Sequence, residues 1–211
     1  MSEIIWTKEY KIQRYREMNK TARKGSVLFA GSSLMEMFPV EQFVQADNLP
    51  VTVYNRGVGG FITDELIENL YVCIIELQPA KLFINIGTND LSDSSRSIPF
   101  IMDNYAHILD TVKTSVPGVK IYLMAYYPVN YEAAAPEMKD CLKIRSNEKI
   151  CAANREVQKL AERFGAKYID VNAPLKDEAG NLRAEYTIEG MHINEDGYRA
   201  VYPLVKQYIL E

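Results

Sequence analysis

Ser33 and His192 are the residues of this chain best suited to nucleophilic chemistry. A serine hydroxyl is a weak nucleophile until a base takes its proton, and histidine, with an unperturbed pKa of about 6.5, suits that task near neutrality. Ser33 lies in Phe29-Ala30-Gly31-Ser32-Ser33-Leu34, just after the first apolar strand-like run, and His192 lies in Glu189-Gly190-Met191-His192, near the other end of the chain. There are two histidines. At about 100° per residue, His107 falls nearly opposite the stripe Ile98, Ile101, Tyr105, Ile108 and Val112 and should face solvent. That leaves His192 as the candidate base, with helix capping or packing as its plainer alternative.

An imidazole acting as a base needs an acceptor on its other ring nitrogen, to fix the tautomer and to stabilise the imidazolium. Glu189, three residues earlier, could supply it, and Glu195 or Asp196 could compete from the following helix start. Charge on a tetrahedral intermediate needs preorganised N–H donors, each of which typically contributes about 10²- to 10³-fold in rate. The Ser33 backbone N–H at a helix start, the Gly60 backbone N–H and the Asn89 side-chain amide could supply three. Gly60 closes Asn55-Arg56-Gly57-Val58-Gly59-Gly60, and Asn89 sits in Gly87-Thr88-Asn89-Asp90, each segment following another strand-like run. Taken alone, Gly57, Gly59 and Gly60 read as a tight turn needing positive φ, and Asn89 as a cap or turn residue. Their joint placement after adjacent strands favours an acyl-transfer site. A phosphate cradle is a weaker reading of the glycines, because the GxGxxG spacing and a Walker lysine are missing.

Five runs read as the strands that must carry these residues: Ser26 to Ala30, Val51 to Tyr54, Lys81 to Ile86, Val119 to Ala125 and Lys167 to Val171. The first four are nearly continuously apolar, as in a parallel sheet covered on both faces. Between them, Ile62, Leu66, Leu70, Cys73 and Leu77 repeat at helical spacing, as do Ile98 to Val116. Further helices are predicted over Asn147 to Phe164 and Glu195 to Ile209, and residues 1–22 are expected to hold an opening helix with Ile5, Ile12 and Tyr15 inward. The expected fold class is α/β: a three-layer α/β/α sandwich with right-handed crossovers and a five-stranded parallel sheet in flavodoxin-like order. In such sheets ligands bind beyond the carboxyl ends of the strands, where Ser33, Gly60, Asn89 and His192 all fall.

At 211 residues with no linker-like stretch, residues 1–211 are expected to form a single domain. Hydrophobic content of 47% and charged content of 25% fit a globular protein. A net charge of -4 argues against a nucleic-acid surface, since counterion displacement needs clustered Lys and Arg. Lys20-Thr21-Ala22-Arg23-Lys24 is the one local excess, and it reads as a solvated helix end. Residues 1–6 carry no basic stretch followed by an apolar one, and no window approaches the roughly 18 apolar residues of a membrane span. The expected location is therefore cytoplasmic, with no membrane partner. Cys73, Cys141 and Cys151 are odd in number and form no close ligand pair, which suits reduced thiols and argues against a metal site.

In their order and intervals, the four polar segments resemble the SGNH (GDSL-type) hydrolase family of esterases, lipases and thioesterases, from about Ser26 to Tyr198. The family's G-D-S block falls on Gly31-Ser32-Ser33, which implies that Ser33 is the nucleophile. Its oxyanion glycine falls on Gly60, its G-x-N-D block on Gly87-Thr88-Asn89-Asp90, and its D-x-x-H block on Glu189-Gly190-Met191-His192. The resemblance implies neither a metal nor an organic cofactor. Two positions depart from the pattern. Ser32 replaces the aspartate before the nucleophile and is a minor rival for that role, and Glu189 replaces the aspartate of the last block, leaving open a triad or a Ser-His dyad.

The resulting expectation is a serine esterase acting through an acyl-enzyme on a small-molecule acyl ester, thioester or acetylated carbohydrate. The alternative is a non-catalytic ligand- or carbohydrate-binding domain on the same scaffold. The stretch Tyr126 to Arg145 is long enough to wall a pocket, and Tyr126, Tyr127 and Tyr131 could contact substrate, although packing against the sheet is the readier explanation for them. Oligomeric state is not legible from the sequence.

Overall fold

The computed structural model describes residues 7–211, so Ile5 and the rest of the first six residues lie outside the described part. Five strands, β1 (Val27–Gly31), β2 (Val53–Gly57), β3 (Lys81–Asn85), β4 (Lys120–Met124) and β5 (Lys167–Ile169), form one sheet in the order β2-β1-β3-β4-β5. All four pairings are parallel. This is the flavodoxin-like order, whose switch point lies between β1 and β3. The strand ends differ from the sequence expectation by at most three residues, chiefly in β2, which starts two residues later and runs on through Asn55-Arg56-Gly57.

Nine α-helices are described: α1 (Lys8–Asn19), α2 (Ser33–Glu36), α3 (Val40–Ala46), α4 (Thr63–Glu68), α5 (Leu70–Cys73), α6 (Ile98–Ser115), α7 (Lys139–Ile144), α8 (Asn147–Phe164) and α9 (Glu195–Leu210). Caps set several starts: the Thr7, Ser97, Ser146 and Asn194 side chains each accept a backbone N–H from the first turn that follows. Gly165, with φ of 59°, ends α8.

Strand alternation divides the core. Leu28, Ala30, Leu82, Ile84, Ile121 and Leu123 pack on one face with residues from α1, α4, α6 and α8. Val27, Phe29, Phe83, Tyr122 and Met124 pack on the other with α2, α3 and α9. On that second face Phe29, Phe83 and Tyr122 stack across three neighbouring strands, with centroids 4.6 and 4.5 Å apart. The single helix expected across Ile62 to Leu77 is a correction: the stretch breaks at Asn69 and again at Ile74, whose φ of -137° and ψ of -59° are not helical. Leu66, Leu70, Cys73 and Leu77 are nonetheless all buried, so the apolar spacing marked the core-facing side and not an unbroken helix.

Candidate functional site

Ser33 is the first residue of α2, immediately past the carboxyl end of β1. Its neighbour Ser32 is wholly buried, and its hydroxyl has no hydrogen-bond partner among the described residues. The Ser33 hydroxyl instead meets His192 Nε2 at 2.9 Å. Of the two serines, only Ser33 is held at the imidazole.

His192 lies in a loop between β5 and α9 that is tied down along its length. Thr187 pairs with Ile193, and the Thr187 hydroxyl accepts the Gly190 N–H at 2.8 Å while donating to the His192 carbonyl at 3.0 Å. Gly190, at φ of 98°, turns the chain where a side chain would be strained, and a Cβ there would lie 2.6 Å from Ala134 Cβ. The segment after β4 presses on this turn: Asn130 N–H donates to the Gly190 carbonyl at 2.8 Å, and Ala135 N–H to the Glu189 carbonyl at 3.2 Å. Glu189 therefore reaches the imidazole from a clamped loop. One of its oxygens meets His192 Nδ1, and the other accepts the His192 backbone N–H at 3.2 Å. An ionised carboxylate only accepts, so the ring proton belongs on Nδ1, leaving Nε2 free to take one from Ser33. The competing acids are placed elsewhere: Glu195 is exposed and pairs with Arg199, and Asp196 is exposed in the first turn of α9. His107 is exposed on α6, as its helical position predicts.

The glycine-rich loop after β2 comes beside Ser33. Val58 N–H donates to the Gly31 carbonyl at 2.9 Å, and a Cβ on Gly59 would lie 3.8 Å from Ser33 Cβ. Of its three glycines, only Gly60 has positive φ, 79°. Gly57 instead permits close approach, since a Cβ there would lie 2.3 Å from the Glu36 nitrogen. Glu36, on α2, accepts the Gly59 N–H at 2.5 Å and is anchored by Lys11 of α1, so the element bearing Ser33 also grips this loop. Asn89 closes the third side: its Nδ2 donates to the carbonyl of Phe61, the residue after Gly60, at 2.9 Å. Next to it, the buried Asp90 accepts from the Thr63 hydroxyl at 2.7 Å and from Arg96 at 3.0 Å, fixing the start of α4.

Arg145 is the functional candidate that sequence reasoning missed, appearing there only as the end of a possible pocket wall. It follows α7, and its side chain is 3% exposed. Nη2 donates to Asn89 Oδ1 at 2.7 Å, Nε to Ser92 Oγ at 2.7 Å and Nη1 to Met191 Sδ at 3.0 Å. Burial pulls its pKa from 12.5 down to about 10, against smaller upward pulls from Cys141, Asp90 and Glu189, so the guanidinium stays charged at neutral pH. No motif or spacing pointed to it, because its position is set by the path of the loop after β4. In that same loop Tyr126 and Tyr127 prove to be buried, the Tyr126 hydroxyl donating to the Ile86 carbonyl, while Tyr131 is 37% exposed under the Lys139 ammonium.

Among the described residues, no cluster of three His, Cys, Asp or Glu is placed to hold a metal ion, and no helix is long and apolar enough to cross a membrane. A family model for the GDSL-like lipase/acylhydrolase family matches residues 39–200, which takes in Gly60, Asn89, Glu189 and His192 and begins just after Ser33. A Streptococcus pneumonia protein provisionally assigned as a platelet activating factor is 31% identical, with a TM-score of 0.84 over 96% of this chain and 92% of that one. An acetylxylan esterase from Geobacillus stearothermophilus shares the fold at 18% identity and a TM-score of 0.68, over 89% of this chain and 95% of its own. The N-acylneuraminate cytidylyltransferase of Escherichia coli is 25% identical over 173 residues, 82% of this chain. This chain spans only 37% of that curated relative's length.

Proposed function

Because this chain belongs to the GDSL-like lipase/acylhydrolase family of acyl-ester hydrolases, we propose that it is a serine esterase working through an acyl-enzyme on Ser33. The observation that carries this reading is the 2.9 Å contact of Ser33 Oγ with His192 Nε2, made across 159 positions of sequence and backed by Glu189 on the opposite ring nitrogen. In the first step Ser33 Oγ bonds to the ester carbonyl carbon and its proton passes to Nε2, while Glu189 steadies the imidazolium. The carbonyl oxygen takes up the electron pair, with the Gly60 N–H, the Ser33 N–H and the second Asn89 amide hydrogen as its candidate donors. Collapse breaks the ester C–O bond, and the departing alcohol leaves with the proton from Nε2. Water then repeats the sequence on the acyl-serine, releasing the carboxylic acid and restoring Ser33.

The substrate class proposed is a small acyl ester or O-acetylated carbohydrate, a reading supported by the acetylxylan esterase that shares this fold. The non-catalytic alternative drew on the departures at Ser32 and Glu189, and the carboxylate contact at Nδ1 weighs against it. A panel of p-nitrophenyl esters graded by acyl length, run beside acetylated sugars, tests the proposal. We expect turnover that falls as the acyl chain lengthens and is lost in Ser33→Ala. Wild-type turnover by Ser33→Ala would overturn the assignment.

A further inference from the structure

A side-chain amide stabilises an oxyanion only if its NH₂ edge, not its carbonyl edge, faces the developing charge. Asn and Gln differ little in shape between the two settings, so a neighbouring group has to decide. At Asn89 two groups do so, the Phe61 carbonyl, which only accepts, and Arg145, which only donates. A guanidinium has donors only, so its 2.7 Å contact requires the Asn89 carbonyl oxygen on that side. The amide nitrogen is thereby sent the opposite way, where one hydrogen meets the Phe61 carbonyl beside Gly60 and the second remains for a ligand.

The Arg145 side chain does not cap α7, since its three hydrogen bonds run to Asn89, Ser92 and Met191. Among the described residues no carboxylate forms a direct ion pair with it, and Asp90 and Glu189 act on it only from farther away. Taking a charge out of water without an ion partner is costly, and a thioether is a poor acceptor in exchange. The contacts do join two parts of the site, because Asn89 and Ser92 belong to the segment after β3 and Met191 precedes His192. We propose that Arg145 is a positioning residue for the oxyanion donor Asn89: it fixes the orientation of the amide. The inference rests on the esterase reading above.

The test is a double-mutant cycle on kcat and KM for p-nitrophenyl acetate, combining Arg145→Met with Asn89→Ala and following folding by thermal melts. Misdirecting the donor should lower kcat by about 10- to 10²-fold in Arg145→Met, below the full loss of a donor, with KM nearly unchanged. In the Asn89→Ala background the same substitution should change kcat hardly at all, since the group it orients is gone. Arg145→Lys, which keeps a donating cation in reach of Asn89, should recover part of the lost rate and serves as the readout if Arg145→Met fails to fold. Equal fold-losses in both backgrounds, or Arg145→Lys no better than Arg145→Met, would overturn the assignment while leaving the esterase reading in place. Wild-type rates in Asn89→Ala would overturn it along with the oxyanion role, and no turnover by the wild type would take down the esterase reading itself.

Discussion

Glu189 holds His192 at two points: one carboxylate oxygen meets the ring Nδ1 and the other accepts the backbone N–H of the same residue at 3.2 Å. The turn that carries it is held by Thr187, Gly190 and Asn130.

Glu189→Gln should lower kcat by about 10²- to 10⁴-fold with KM little changed. The amide can present N–H to Nδ1 and select the wrong tautomer, and it no longer offsets the imidazolium charge. Steady-state kinetics check this. Loss of less than about tenfold would mean that the site runs on Ser33 and His192 without the acid.

Ser32→Ala should keep wild-type turnover and should not lower the urea midpoint. The Ser32 hydroxyl is buried without a partner, and such a group destabilises by about 1–3 kcal/mol relative to an apolar one. An inactive but folded Ser32→Ala would move the nucleophile by one residue.

Gly190→Ala should cost about 1–3 kcal/mol of stability and lower kcat, since the new Cβ meets Ala134 and the Asn130 carbonyl at a positive φ. Urea unfolding read beside kcat tests the coupling: an undisturbed rate would show that the turn does not position Glu189 and His192.

The pH profile of kcat/KM should rise from the acid side and then level off, because only the neutral imidazole can accept the Ser33 proton. Protonating Nε2 fills the lone pair that faces Oγ. A rate that did not fall with acidification would remove His192 from that role.

The sheet was legible because β1, β3 and β4 are largely apolar runs, and the Ser33, Gly60 and Asn89 segments were legible because they follow β1, β2 and β3 directly. The interruption of the helical stretch between Ile62 and Leu77 was not, since Asn69 and Ile74 carry no breaker signal and periodicity records only the buried side. Ser33 was favoured over Ser32 by its register after the strand, whereas the reach of Glu189 depended on the course of its loop. Arg145 was invisible for a different reason: it meets Asn89 over 56 positions of sequence, through a loop whose course no local pattern encodes.

In the proposed mechanism the hydroxyl at Ser33 is the group that His192 activates. Incubation with a fluorophosphonate probe, followed by intact-mass and peptide mass spectrometry, reads this directly. The expected result is one adduct per chain, on the peptide containing Ser33, absent from Ser33→Ala and slowed in a His192→Ala variant. A folded wild-type protein that takes up no probe, or carries it on any other residue, would contradict the account.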